Sequence, residues 1–586
     1  MPPTPSGEPS TPGRPRPWVL RDYAVLADGE RGAVVGPHGE IVWLCAPRWD
    51  SDPVFSSLVG GAGTFTVGPE DPWHVWGGSY EDGSLIHVGR WVTGDTVIEC
   101  REALAAPAAA DRVVLLRRIR AVRGTARVRV LLEGRDGFGS VPMTGARRHG
   151  DTWTARAGRH LLRLDGAPGA RPGPGGALHA RLTVPAGGSL DLVLTVSPAA
   201  VPAPPDAARL WESTERHWAA AVPDCAGLPA ERDARHAYAV LHGLTSTAGG
   251  MVAAATTSLP ERANTGRNYD YRFTWIRDQA YAGMAAAAHG SFPLLDTAVR
   301  FAAERVLADG SRLRPAYTVD GGRLTAERSL SLPGYPGGFD RTGNRAADQF
   351  QLDTFGEVLQ LFAAAARHDR LDSTALRAAE ATVEAVAHTW LRPDAGLWEL
   401  ENRWWTHSRL AVVTGLRALA RHAPPTAARR CAGLADTVLA ATRRRCLTPA
   451  GIWRRSEHDD GAEAGLLLPL ARGCLPAGDP TLTRTRRYIE RRLADDGYLY
   501  RFRHRDTPLG EAEGAFLLCG FMMALAAARD GEPVTAFRWF ERTRAACGSP
   551  GLFTEEWDVR QRQARGNLPQ AFVHALLLES AATLAR

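Results

Sequence analysis

The feature that most constrains the fold of this chain is a change of periodicity near residue 200. Upstream, short apolar runs such as VVLLRRIRAV (113–122), ARVRVLLEG (126–134), HLLRLDG (160–166) and LDLVLTVS (190–197) alternate with turn signals such as Pro37-His38-Gly39, Gly60-Gly61 and Gly77-Gly78. Many short Val/Ile/Leu-rich strands at this spacing predict an antiparallel β-sandwich. The stretch VSPAAVPAPPDA (196–207) reads as a stiff Pro/Ala linker. Downstream, 3.6-residue periodicity takes over, and about a dozen helix-length segments run from 207–221 to 567–585, among them 346–368 and 511–529. In the last of these, Asn567 is the expected N-cap, and Leu568, Phe572 and Leu576 share a face. A dozen helices joined by loops rich in Trp, Tyr, Arg and acids suggest a toroid of paired helices with function at one end. The predicted division is a flexible Pro-rich tail at 1–17, a β-sandwich at 18–200, a linker with one helix at 201–230, and a helical domain at 231–586.

Composition closes off other classes. At 44% hydrophobic and 23% charged the chain is ordinary globular protein. No apolar run approaches the roughly 20 residues needed to cross a bilayer, so no membrane association is expected. The opening MPPTPSGEPSTPGRPRPW lacks a signal-like apolar core, and the cytoplasm is the default location. The net charge of +6 comes from 70 basic residues, all Arg, scattered among 64 acids. A nucleic-acid binder concentrates that charge on one face, so none is expected here. The 8 cysteines form no CxxC and have no His pair at zinc spacing, so free buried thiols and no metal site are predicted. Phosphate-loop, dinucleotide, nucleophile-elbow and HExxH motifs are absent in any supporting context.

Four loops gather aromatics, carboxylates and Arg. In the first, 267–278, Arg277 and Asp278 follow Tyr271 and Trp275. Planar polar groups take sugar hydroxyls bidentately while aromatic faces cover ring C–H groups. Taken alone, the same loop reads first as an ion-paired entry into a helix. In the second, 347–357, Gln349, Gln351 and Asp353 alternate with apolar residues and project together if extended, or cap a helix start. In the third, 396–408, Glu399 follows Trp398. A carboxylic acid pressed against indole has its charged form disfavoured, as a general acid requires. His407 nearby reads as structural or as a substrate hydrogen bond. In the fourth, 551–558, Glu555, Glu556 and Asp558 surround Trp557 and offer a base. Two carboxylates from distant loops, framed by Trp and an Arg-Asp pair, fit glycoside hydrolysis.

The order of these segments, ATTSLPE (255–261), NYDYRFTWIRD (268–278), ADQFQLDTFGE (347–357), GLWEL (396–400), THS (406–408), EGAFLLC (513–519), GLFTEEWD (551–558) and GNLPQAFVH (566–574), resembles glycoside hydrolase family 15, the glucoamylase-like family that includes bacterial trehalases. The N-terminal region resembles the β-sandwich of its bacterial members. The resemblance implies an N-terminal antiparallel β-sandwich followed by an (α/α)6 helical barrel, and exo-acting hydrolysis with inversion. It implies Glu399 as general acid and Glu555 as general base. Arg277 and Asp278 would hold the non-reducing glucose, Trp275, Trp398 and Trp557 would line its pocket, and Arg501 and Glu513 would belong to the rim. The chain departs from the family pattern at Tyr269, Arg409, Gly461–Ala464 and Gly520–Met522, the last two bearing on specificity. The implied partner is a small α-glucoside, trehalose or a short α-glucan. The oligomeric state is open, as is dependence on phosphate or magnesium, with no obligatory cofactor expected. A disaccharide phosphorylase needs no second carboxylate, and a silent sugar-binding protein would lose one, so retention of both favours hydrolysis.

Overall fold

The computed structural model describes residues 17–199, 205–504 and 507–586. Most of the predicted 1–17 tail and part of the linker therefore lie outside the described residues. From Ala24 to Ser197 the chain forms two antiparallel sheets of eight and nine strands. Leu178–Val184 alternates strictly between buried and exposed residues, as a strand with one wet face should. Glu40–Cys45 is instead buried at every position, because its outer face carries the barrel. Trp43 Nε1 crosses that junction to donate to the Ala255 carbonyl at 3.0 Å.

After the helix Ala207–Ala221, six inner helices, Ile276–His289, Leu352–Ala366, Thr406–Ala420, Leu467–Ala471, Leu517–Arg529 and Ala571–Leu584, close a ring. Six outer helices, Glu231–Gly243, Pro293–Asp309, Ser373–Thr389, Pro425–Cys446, Pro480–Leu493 and Pro533–Arg544, back them. This is the (α/α)6 barrel behind a β-sandwich. Four outer helices begin with Pro, where the missing N–H costs nothing. Inner helices are buried nearly all round and rich in Ala and Gly. A Cβ on Gly356 would stand 2.5 Å from the Ala411 backbone, so glycine sets the close approach of two inner helices.

Three expected helix starts move. Residues 346–348 form a separate 3-10 turn before the helix at Leu352, and the segment predicted from 511 becomes helical only at Leu517. The last helix starts at Ala571, so Asn567 is not its cap and Leu568 lies outside it. Asn567 instead accepts from Thr256 at 2.9 Å and donates to the Tyr269 carbonyl at 2.9 Å, a tertiary use that local helix signals do not reveal. No helix among the described residues is long and apolar enough to cross a membrane.

Candidate active site

A cavity of about 390 Å³ opens where the inner helices begin, a size within the usual range for small-molecule sites. Its walls are loops entering those helices: Tyr269, Tyr271, Trp275, Arg277 and Asp278 before and in Ile276–His289, Glu399 before Thr406–Ala420, and Glu555, Gln570 and Phe572 near the last helix. Helix N-termini present partly positive ends, which suits a site lined by carboxylates.

Glu399 occupies a tight turn in which its own φ is 55° and Leu400 N donates to Ala395 O at 2.9 Å. A left-handed backbone at a residue with a side chain costs of order 1–3 kcal/mol and is retained where the surroundings dictate it. The turn aims the carboxyl into the cavity, with its side chain 27% exposed. Trp275 Nε1 donates to Glu399 Oε1 at 2.7 Å, and Arg277 Nη2 stands 3.7 Å from the same oxygen. Trp275 therefore meets the carboxyl with its N–H edge, not with the apolar face expected of Trp398.

Glu555 is buried on the other side. The Tyr271 hydroxyl lies 3.0 and 3.2 Å from its two oxygens. Burial and the neighbouring Glu261 push the Glu555 carboxyl well above the usual carboxylate range, while Tyr271, Arg501 and Arg267 pull against them. Tyr271 packs perpendicular to Trp275 with ring centres 5.6 Å apart. One aromatic pair thus joins the two carboxylates, each ring holding one by a hydrogen bond.

Arg277 also reaches Gln351 at 3.3 Å, Asp278 at 3.8 Å and Asp353 at 4.0 Å. Burial, with the charge of Glu399 adding, pushes Asp278 up to about 6 against the pull of Arg277. Asp353 is fully buried with neither oxygen hydrogen-bonded, and burial pushes it up to about 7. Arg501 lies on the wall with Glu513 behind it at 2.7 Å, and Glu513 is also 3.3 Å from Arg267.

Of the residues singled out from sequence, Glu399, Glu555, Arg277, Asp278, Trp275, Tyr271, Gln349, Trp398 and Arg501 line the cavity. Gln351, Asp353 and Glu513 stand one layer behind, holding arginines of the wall. Trp557 does not line it: its ring packs on Tyr498, 5.8 Å between centres, in the strand Glu556–Asp558. His407 is fully buried, and burial lowers it to about 3, so it is a neutral group inside the barrel. Asp558 is taken up by Arg262 at 3.1 Å, and Glu556 by the Gly514 N–H at 2.6 Å. Sequence reasoning missed Glu327, Arg341, Asn344 and Arg345, which form one side of the mouth. Glu327 pairs there with Arg341 at 2.5 Å and Arg345 at 3.1 Å.

Paired carboxylates at the loop end of an (α/α)6 barrel define a glycoside-cleaving class of protein. The family model described as glycosyl hydrolases family 15 matches residues 234–582, and a trehalase-like N-terminal model matches residues 15–157. The chain belongs to glycosyl hydrolases family 15 and is a glycosidase. It is 29% identical over 612 residues to a trehalase of Mycobacterium tuberculosis, covering 96% of this chain and 89% of that one. A trehalase of Mycolicibacterium smegmatis is 29% identical over 607 residues, covering 96% and 90%. A crystal structure of bacterial glucoamylase complexed with acarbose superposes with a TM-score of 0.71 at 14% identity, covering 98% of this chain and 96% of that chain, a likeness of fold.

Proposed function

We propose that the chain is an exo-acting, inverting α-glucoside hydrolase of carbohydrate metabolism that releases β-glucose from a non-reducing glucosyl unit, with trehalose as the first substrate and short α-glucans as the second. Glu399 is the general acid that protonates the glycosidic oxygen, and Glu555 is the general base that takes a proton from the attacking water. Arg277 and Asp278 bind hydroxyls of the glucosyl ring, and Tyr271, Trp275 and Trp398 cover its faces. Gln351, Asp353 and Glu513 orient the arginines. The observation that carries this reading is the Glu399–Trp275–Tyr271–Glu555 chain around one cavity. The raised pKa of Glu555 makes it a stronger base than an ordinary carboxylate once it is deprotonated. Both carboxylates open to the same cavity, which argues for hydrolysis over phosphorolysis or silent binding. Full-length relatives named trehalase favour trehalose.

The working domain division is 18–200, 201–230 and 231–586. A cytoplasmic location is supported by eight free cysteines, seven of them buried, since thiols persist in reducing compartments.

The test is glucose release from trehalose, maltose, isomaltose and maltopentaose, with product anomers followed by NMR. Inverting cleavage of trehalose yields one β-glucose and one α-glucose. Two α-glucose molecules would establish retention, and glucose 1-phosphate a phosphorylase.

A further inference from the structure

One extended segment carries both the cavity wall and the domain junction. Residues 269–273 pair with 253–258: Ala253 N donates to Phe273 O, Ala254 N to Tyr271 O, and Ser258 N to Tyr269 O, each at 2.9 Å. Successive side chains of extended backbone point to opposite faces. Tyr269 and Tyr271 accordingly line the cavity, while Asp270 and Arg272 turn away toward the β-sandwich.

There Arg272, fully buried, uses its whole guanidinium. Nε and Nη2 donate to the two Asp270 oxygens at 2.9 and 2.7 Å. Nη1 donates to the Ser51 carbonyl at 2.9 Å and lies 3.3 Å from Cys45 Sγ. Nη2 also reaches Thr342 Oγ1 at 2.8 Å. Asp270 in turn accepts from Gly343 N at 3.0 Å, and its carbonyl accepts from Asn344, which lines the cavity. Three separate parts of the chain, a sandwich loop, the catalytic segment and the mouth hairpin, meet on one ion pair. A buried ion pair of this kind adds little net stability over an apolar substitute of similar shape.

We propose that Asp270 and Arg272 are positioning residues through which the β-sandwich sets the active site: they fix Tyr271, and with it Trp275, so that both catalytic carboxylates are held for reaction. The proposal rests on the roles given above to Glu399 and Glu555. Tyr271 lies between the two members of the pair, donates to Glu555 and packs on the ring that donates to Glu399. A lysine cannot replace Arg272, because a point ammonium does not reproduce the planar fork. The β-sandwich is on this account part of the catalytic apparatus.

The test uses the full-length chain with Arg272→Lys, which keeps the charge, and Thr342→Val, which keeps the ion pair but removes one of its ties to the mouth hairpin, the Thr342 hydroxyl. In Arg272→Lys the account expects kcat to fall about 10- to 100-fold, the penalty for small misplacement of reacting groups, with KM moving much less. Glu555 faces Glu261, Glu556, Arg267, Arg501 and Tyr271, and only the last donor is loosened, so the acid limb of kcat/KM should move to higher pH. Arg272→Lys should add no further limb shift in a Tyr271→Phe background, the non-additivity expected when one residue acts through the other. Thr342→Val should show a smaller fall in kcat in the same direction.

A folded Arg272→Lys with unchanged kcat and limb overturns the proposal, as does a loss traced wholly to a lower unfolding temperature. If Arg272→Lys does not fold, unchanged kcat and limb in Thr342→Val overturn it instead. Glu399→Gln and Glu555→Gln are run alongside. Near-normal turnover in those variants breaks the underlying assignment, whereas their inactivity beside an unaffected Arg272→Lys breaks the positioning claim alone.

Discussion

On one wall of the cavity Glu399 stands on a left-handed turn, partly exposed, and takes an indole N–H with a guanidinium near by. On the opposite wall Glu555 is buried beside Glu261 and Glu556 and takes a phenolic hydroxyl. The same residue type thus meets two environments, one open and cationic, the other closed and acidic. Burial raises Glu555 as it would a general acid, so the proposed division, Glu399 as acid and Glu555 as base, rests on the matching family motifs rather than on environment.

The largest way to break that contrast is to remove either group. Glu399→Gln and Glu555→Gln should each lower kcat for the substrate by about 10²-fold or more while leaving the fold intact by circular dichroism. Near-normal turnover in either would remove that residue from the mechanism.

Smaller changes should tilt one wall only. Glu555 works as a base when deprotonated, so activity rises with pH through its raised folded-state pKa, and the acid limb should lie above the ordinary carboxylate range. Tyr271→Phe removes a donor that pulls the pKa down, so the limb should move higher. Glu261→Gln removes a charge that pushes it up, so the limb should move lower. A kcat/KM profile that shifts the same way in both variants would contradict the electrostatic account.

A stability measurement sharpens the same contrast. Burial, with Glu261, Glu513 and Glu555 adding, raises Glu556 well above 4.5. Below 4.5 both folded and unfolded states hold its proton, and stability is lost as pH rises from there toward the folded-state pKa. Glu556→Gln should therefore raise the unfolding temperature by about 1–3 °C at pH 7 and leave it unchanged at pH 4. An equal gain at both pH values would point to packing. The smallest expected effect is that of a chelator, which should leave the rate unchanged. Loss restored by a divalent ion would overturn the expectation of no obligatory metal.

The sequence carried the β-to-α transition because strand alternation and helical periodicity are local patterns, as in Leu178–Val184 and Ala207–Ala221. It also carried most of the cavity wall, since loop-borne Trp, Arg and carboxylates cluster at helix entries. Trp557 misled because composition alone does not say which surface an aromatic covers; its partner Tyr498 comes from a distant strand. The mouth residues Glu327, Arg341, Asn344 and Arg345 showed no pattern, because their place depends on a short hairpin, Arg328–Ser329 against Arg341–Thr342, tied down by Asp270 and Arg272. Long-range links of this kind leave no spacing signal.

The division of labour between the two walls is tested most directly with α-glucosyl fluoride, whose leaving group needs no proton. Glu399→Gln and Glu555→Gln are compared on trehalose and on the fluoride. The account predicts that Glu399→Gln keeps much of its activity on the fluoride while losing trehalose, and that Glu555→Gln loses both. Retention of fluoride hydrolysis by Glu555→Gln and its loss in Glu399→Gln would reverse the acid and base assignments.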